Sequence, residues 1–349
     1  MSELKFSTGS IEAAIGPVPV VTAVLGWRDR LGALMVRWRF GRNRYSIPPG
    51  LYALGSPDGS SEVLVTANYK LSFDRLRQAL PGRDFWIVVL DTEGINVWCA
   101  AGKGTFGTEE LVKRIGEINL NEIVDHQRLI VPQLGGPGVA AHLVKKESGF
   151  SVVYGPIRSA DLPAFIDAGM KATEQMRRVT FPLRERMAVA PVEIVGAFRV
   201  MTLVIPALFF LSGLLGPFDY WTNTSHSGSL AVAALIAAFI GGTMIFPLLL
   251  PWLPGRAFSM KGLVVGLIVT PVTILWFGHG LAALPQVLES LSWLLMATAV
   301  TSYLAMNFTG ASTYTSLSGV KKEMRVAVPL QISGAAIGLI LWIIAGIAA

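Results

Sequence analysis

Cysteine is nearly absent from this chain: Cys99 is the one thiol in 349 residues. A lone cysteine excludes an internal disulfide. It also excludes an iron–sulfur cluster held by four thiolates of this chain, so no intrinsic cluster is expected. Redox chemistry, if any, then needs a bound cofactor or an external electron donor. Histidine is scarce too: of four, only His126 and His142 precede residue 199. Neither sits in a recognisable catalytic motif, so a nucleophilic cysteine has no evident base. Charged residues make up 15%, against about 25% in soluble proteins. Residues 1–199 hold 24 of the 29 Lys and Arg and 20 of the 23 Asp and Glu, and the last 150 hold eight charges. The first residues lack a basic stretch followed by an apolar run, so no secretory signal is read there.

This charge distribution predicts two parts, a water-soluble α/β domain and then an all-α membrane domain, divided near residues 191–199. The expected division is a basic N-terminal segment (1–45), a cytoplasmic α/β domain (46–175), a basic linker (176–199) and a transmembrane domain (200–349). Uncharged stretches at 200–218, 227–255, 262–286, 290–320 and 326–349 each supply the roughly 20 apolar residues that a spanning helix needs. Loop 252–261 carries Arg256 and Lys261, and loop 310–325 carries Lys321, Lys322 and Arg325. The loops at 217–227 and 279–289 have no Lys or Arg. Basic loops face the cytoplasm, so a multi-pass protein of the cytoplasmic (inner) membrane is expected, with its soluble domain inside and its C-terminus outside. Glu289 and His279 lie near span ends, and no ionisable residue is expected deep in a span, which disfavours a proton-coupled transporter. Gly262 with Gly266, and Gly334 with Gly338, are GxxxG pairs suited to close helix packing.

Before the spans the pattern alternates strand and helix. Strands are expected at 63–66, 85–90, 129–131 and 150–154. Helices are expected after Ser72 as N-cap, from Thr108, over 139–146 and over 161–168. Short connections between them predict a doubly wound, Rossmann-like parallel sheet, whose ligands sit at the carboxyl ends of the strands. Three stretches fall there: Thr66 to Asn68, the cysteine segment, and Gln133 to Gly138. Residues 27–44 hold six arginines against one acid. That stretch reads either as a solvated basic face or as a surface for an acidic partner or anionic lipid. No nucleic-acid partner is expected.

The cysteine segment is Asn96, Val97, Trp98, Cys99, Ala100, Ala101, Gly102, Lys103. Read as a helix over 93–103 with Thr92 as N-cap, it puts Asn96, Cys99 and Lys103 on one face. Ile95 and Trp98 then anchor the helix, and the small residues beside the thiol admit a large flat ligand. A helix N-terminus and a nearby Lys103 should acidify the thiol. On the residues alone, three readings stand: a buried structural cysteine, a nucleophile, or a metal ligand.

The run NVWCAAGK resembles the cap-helix signature of the HgcA family of mercury-methylating corrinoid proteins, without departure. The flanks VTANYK (65–70), GTFGTEE (104–110) and PQLGGPGV (132–139) also resemble that family, which is related to the large subunit of the corrinoid iron–sulfur protein. The resemblance is firmest over about residues 46–170. It implies a cobamide cofactor with Cys99 as the lower axial ligand of cobalt. It further implies a corrinoid-dependent methyltransferase that passes a methyl group to inorganic Hg(II). As cofactor-binding positions it suggests Thr66, Asn68, the whole run from Asn96 to Lys103, Gln133, Gly135, Gly136 and Gly138. The implied partners are a ferredoxin-like protein with two 4Fe–4S clusters and a methyl donor from the folate pathway. Two other functions stay open: a membrane-anchored methyl carrier of the acetyl-CoA pathway, and a membrane receptor or transporter with a cytoplasmic ligand-binding domain.

Overall fold

A computed structural model describes residues 6–278, 283–310, 312 and 317–349. The chain divides into two compact units: Met1–Val36 with Phe40–Val179, and Arg37–Arg39 with Thr180–Ala349.

The first unit is an α/β domain on a seven-stranded sheet. Its strands are β1 (Ser7–Ala13), β2 (Gly16–Val21), β3 (Gly50–Leu54), β4 (Val63–Ala67), β5 (Phe85–Leu90), β6 (Arg128–Val131) and β7 (Ser151–Tyr154). They lie in the order β1-β2-β3-β5-β4-β6-β7. The four strands legible in the sequence, β5-β4-β6-β7, are all parallel. Each of β4 and β5 is buried at every position, as befits strands covered on both faces. The chain leaves β4 for β5, then returns past β4 to β6, which creates a switch point at their carboxyl ends.

The other three strands extend this sheet and make it mixed: β3 runs antiparallel to β5, and β1 antiparallel to β2. Residues 1–45 are therefore not a separate basic segment, because β1 and β2 belong to the same sheet. Two prolines in β2, Pro17 and Pro19, and a Pro-Pro pair before β3 hide these strands from a propensity reading. Proline is tolerated at 17 and 19 because β2 pairs with β3 only at Val20 and Val21, which leaves one side of those prolines without a ladder.

Helices packed with this sheet include α1 (Trp27–Arg37), α2 (Lys70–Gln78), α3 (Val97–Lys103), α4 (Thr108–Glu117), α5 (Ala141–Ser148) and α6 (Leu162–Asp167). Tyr69, not Ser72, caps α2. A buried ion cluster ties α1 to α2. Lys70 Nζ lies 2.6 Å from Asp29 and 2.7 Å from Asp74, and Arg77 lies 2.8 Å from both carboxylates. Arg77 is fully buried and also donates to the carbonyls of Thr22 and Val24. Burial pushes the Asp29 carboxyl up, but the bonds from Lys70 and Arg77 prevail and hold it below its ordinary value of 3.8.

Among the described residues, the second unit has five helices long and apolar enough to cross a membrane: Leu183–Ser212, Tyr220–Leu249, Phe258–Phe277, Leu284–Gly310 and Ser318–Ala348. All five begin earlier than the hydropathy pattern predicts, the first and fifth by the most. The first includes Arg184, Glu185, Arg186 and Arg199, so most of the expected linker 176–199 is helical. The fifth includes Lys321, Lys322 and Arg325, which were expected in a loop. Charge ends an apolar run without ending a helix, since the i→i−4 ladder continues wherever water can solvate the side chains. His279 and loop residues 280–282, 311 and 313–316 lie outside the described residues.

Charged side chains bond helix ends in this unit. Buried Arg186 donates to the carbonyls of Pro247 (2.8 Å) and Leu248 (3.0 Å). Lys261 donates to Leu250 O (2.7 Å), and Glu323 accepts from the Ser259 amide (2.6 Å). The second span carries a π-helical turn, Gly241–Ile245, just before Pro247. One GxxxG pair does pack closely: a Cβ at Gly262 would meet Ser302 Cα at 2.9 Å, and one at Gly266 would meet Thr298 Cα at 2.8 Å. Of the other pair, Gly338 lies against Met296 and the Ser292 carbonyl, whereas Gly334 has room.

Replacing Asp74 with Ala strips buried Arg77 of one carboxylate and should cost about 3 kcal/mol, by the usual penalty for breaking a buried pair. Hydrogen exchange of α2 amides in the intact protein measures this. The Asp29 carboxyl is depressed on folding, so its contribution is full above its unfolded value of 3.8 and is lost as pH falls through the lower folded value. Asp29→Asn should therefore flatten the acid limb of stability against pH.

Candidate functional site

The carboxyl ends of β4, β5 and β6 converge on one edge, and Asn68 organises it. Its side chain is 6% exposed. Asn68 Oδ1 accepts from the backbone amides of Thr92 (3.1 Å) and Gly94 (2.9 Å), and Nδ2 donates to Asp91 Oδ1 at 3.0 Å. The Thr92 hydroxyl lies 2.8 Å from Asn68 Oδ1 and 2.7 Å from the Ile95 carbonyl. With one proton, it donates to one of them at a time. These bonds fold 91–95 into a turn, in which Glu93 (φ 57) and Gly94 (φ 70) are left-handed.

The helix consequently starts later than the expected 93–103. It is α3, with Asn96 as N-cap, and the Asn96 side chain accepts from the Cys99 amide at 2.9 Å. Thr92 does not cap it. Asn96 is thus the capping group, and its side chain also lies against the Cys99 thiol. Gly104, at φ 91, closes the other end. Ala100 and Ala101 are buried in the core, with Ile95 and Val97 packed against it. Val97 takes the anchoring place expected of Trp98, which stays half-exposed. Gly102 and Lys103 are exposed.

Cys99 is a free, half-buried thiol. Burial pushes its pKa above the ordinary value of 9.0, and this outweighs the lowering by Asn96, Lys103 and Arg42. The expected acidification is therefore reversed: a thiolate in a largely covered position loses more hydration than one amide and two cations return. Arg42, from the basic stretch, is a neighbour that the sequence order did not reveal.

The loop after β6 lies alongside. A Cβ at Gly138 would run into the Phe106 carbonyl and stand 3.1 Å from Ala101 Cα; one at Gly135 would strike the Phe106 ring. Their lack of a side chain is thus explained by packing on α3 and on buried Phe106. Gly136 has its own neighbour, the Gln133 carbonyl at 3.1 Å. Gln133 Oε1 accepts from Arg177 at 2.8 Å. Thr108, at the start of α4, ties the loop down, accepting from the Ala140 amide (2.8 Å) and donating its own amide to Gly138 O (3.1 Å). Thr66 is buried at the end of β4. Among the described residues, the Thr105 hydroxyl is buried without a hydrogen-bond partner, and no group of three or more His, Cys, Asp or Glu is placed to hold a metal ion. Phe106, Thr108 and Asp91 escaped sequence reasoning because their roles are contacts across the fold; the glycines on either side of Phe106 are the one local hint.

All predicted site positions thus come together along one sheet edge. The exceptions are matters of role: Asn68 and Asn96 spend their side chains within the chain.

Comparison with known proteins locates this edge inside a recognised region. Residues 41–166 match the family model described as CO dehydrogenase/acetyl-CoA synthase delta subunit. The acetyl-CoA decarbonylase/synthase complex subunit gamma of Methanopyrus kandleri is 32% identical over 128 residues, covering 36% of this chain and 27% of that protein. The subunit gamma of Archaeoglobus fulgidus is 29% identical over 131 residues with the same coverage, and that of Methanothermobacter thermautotrophicus is 29% identical over 128. This chain thus spans roughly a quarter of each relative's length.

Replacing Asn68 with Ala leaves two buried amides unpaired and should cost about 2–3 kcal/mol, seen as faster hydrogen exchange at 92–96. In the ligand-free protein, the pH midpoint for alkylation of Cys99 should lie above 9.0. Lys103→Ala should move it further up, because the cation favours the thiolate.

Proposed function

We propose that this chain is a membrane-anchored corrinoid methyltransferase in which Cys99 is the axial ligand of the corrinoid cobalt and inorganic Hg(II) is the methyl acceptor. One observation carries the proposal. A half-buried thiol stands on a short helix clamped at both ends, at the carboxyl edge of a doubly wound sheet, within the region that matches the acetyl-CoA synthase-type family.

The residues present suit such a group. Cys99 is the chain's one thiol, and it would supply the single soft sulfur donor that such a group would take from the protein. Half-exposed Trp98 and exposed Gly102 share the short helix of the thiol, and the unpaired Thr105 hydroxyl is a polar group for ring amides to satisfy. Thr66, Gln133 and the main chain of Gly135, Gly136 and Gly138 line the same edge as further contacts. Asn96, with Val97, Ala100 and Ala101 behind it, fixes the helix on which the thiol stands; Asn68 fixes the turn before it.

When bound, the corrinoid supplies a transferable methyl group to an electrophile such as Hg(II). Cys99 would hold the group through its sulfur, and the identity of a protein ligand is a main lever on a cofactor metal. Lys103 and Arg42 would favour the thiolate form that such a bond requires. Asn96 holds the Cys99 backbone so that the sulfur keeps one direction. With no second thiol, electrons come from a ferredoxin-like partner with two 4Fe–4S clusters, and the methyl group comes from a folate-linked donor. The alternation of basic and non-basic loops supports a cytoplasmic first unit and spans in the cytoplasmic membrane.

A second reading, a corrinoid methyl carrier serving an acetyl-CoA-forming complex, is favoured by the names of the relatives, each a subunit of such a complex. Both readings share the cofactor and differ in the acceptor. The test is the absorption spectrum of the full chain loaded with cobamide, together with methylmercury formation by cells. Cys99→Ala should shift the cobalt bands and cut methylmercury by about a hundredfold or more, the upper range for disturbing a metal's immediate surroundings. An unchanged spectrum sinks the ligand assignment. A shifted spectrum in a wild-type chain that forms no methylmercury favours the carrier.

A further inference from the structure

Helix α1 lies outside the matched region 41–166 and plays no part in the site above. Its two faces differ sharply. Asp29, Gly32 and Val36 look inward. Asp29 enters the ion cluster with Lys70 and Arg77, Val36 is buried, and a Cβ at Gly32 would meet the Tyr45 ring at 2.8 Å. The opposite face shows Trp27, Leu31, Leu34 and Met35 at i, i+4, i+7 and i+8, continued by Trp38 and Phe40. All six are exposed, Trp27 by 69% and Leu34 by 54%. A contiguous apolar stripe of this kind on a water-facing helix marks an interaction surface.

The edges of the stripe are basic. Arg28 and Arg30 are exposed on its two sides, with the Arg28 guanidinium 5.3 Å from the Trp27 ring centroid. Arg39 and Arg44 are exposed just beyond the helix. The one acid of the segment, Asp29, faces inward and is neutralised there. The outward face is therefore apolar at its centre and positive at its margins, with tryptophans at both ends. A second copy of the same face would set arginine against arginine. Anionic lipid meets the pattern at every point: acyl chains take the stripe, headgroup phosphates take the arginines, and tryptophan favours the boundary between them. Five helices of membrane-crossing length on the same chain keep a bilayer at high effective concentration around α1.

We propose that α1 lies in the headgroup layer of an anionic bilayer with Trp27, Leu31, Leu34 and Met35 facing the acyl chains. The test uses the full chain in lipid nanodiscs, with a nitroxide at Leu34→Cys in a Cys99→Ser background. A control label at exposed Lys113→Cys on α4 reports water. In discs containing phosphatidylglycerol, collisions of the Leu34 label with oxygen, relative to a water-soluble nickel chelate, should exceed those of the control several-fold. Zwitterionic discs, or the Arg28→Glu/Arg30→Glu pair, should bring that ratio down toward the control. A Leu34 ratio equal to the control in anionic discs overturns the proposal. So does exclusion of both reagents, which means a protein surface, a second copy or an acidic partner, covers the stripe. A high ratio indifferent to lipid charge and to the arginines overturns the anionic requirement.

Discussion

The cysteine helix depends on one buried side-chain amide. Asn68 belongs to the end of β4, yet its side-chain bonds all run to the turn after β5. By holding the amides of Thr92 and Gly94 it fixes a turn in which Glu93 and Gly94 are left-handed, a backbone that a right-handed helix beginning at residue 93 cannot contain. The helix is delayed until Asn96, which caps it through the Cys99 amide itself. Two asparagines thus set where the thiol stands: one by denying a helix, the other by starting it. Both act through backbone groups, for which an unmade bond in a buried place is costly.

The surrounding packing extends the same constraint. Gly138 lets the loop after β6 press on Ala101, and Gly135 gives way to Phe106. The thiol therefore rests on a helix gripped by the turn before it, by the core beneath it and by a loop beside it. Such support on three sides is what a precisely oriented ligand needs. It also has an electrostatic consequence. Burial holds the thiol protonated more strongly than Asn96, Lys103 and Arg42 can oppose.

Charge is handled differently in the two units. In the first, an Asp–Lys–Asp–Arg cluster holds α1 against α2 and frees the outer face of α1 to be apolar and basic. In the second, Arg186, Lys261 and Glu323 spend their charge on the orphan carbonyls and amides of helix ends, where charge-assisted bonds count most.

The sequence by itself determined the two-part plan, the parallel strands β4 to β7, the number of apolar helices and the position of the one thiol. Hydrophobic periodicity and the distribution of charge are local properties, and a chain displays them before it folds. Tertiary structure alone decided the rest. The prolines of β2 and the turn-like start of β3 are compatible with strands only because the sheet already offers them partners. The first and fifth spans outrun their apolar segments because a helix ends where its hydrogen-bond ladder does. The start of α3, the anchoring by Val97 in place of Trp98 and the raised Cys99 pKa all follow from contacts with β4, β6 and Arg42. Those partners lie far off in sequence, so no reading of residues 93–103 in isolation contains them.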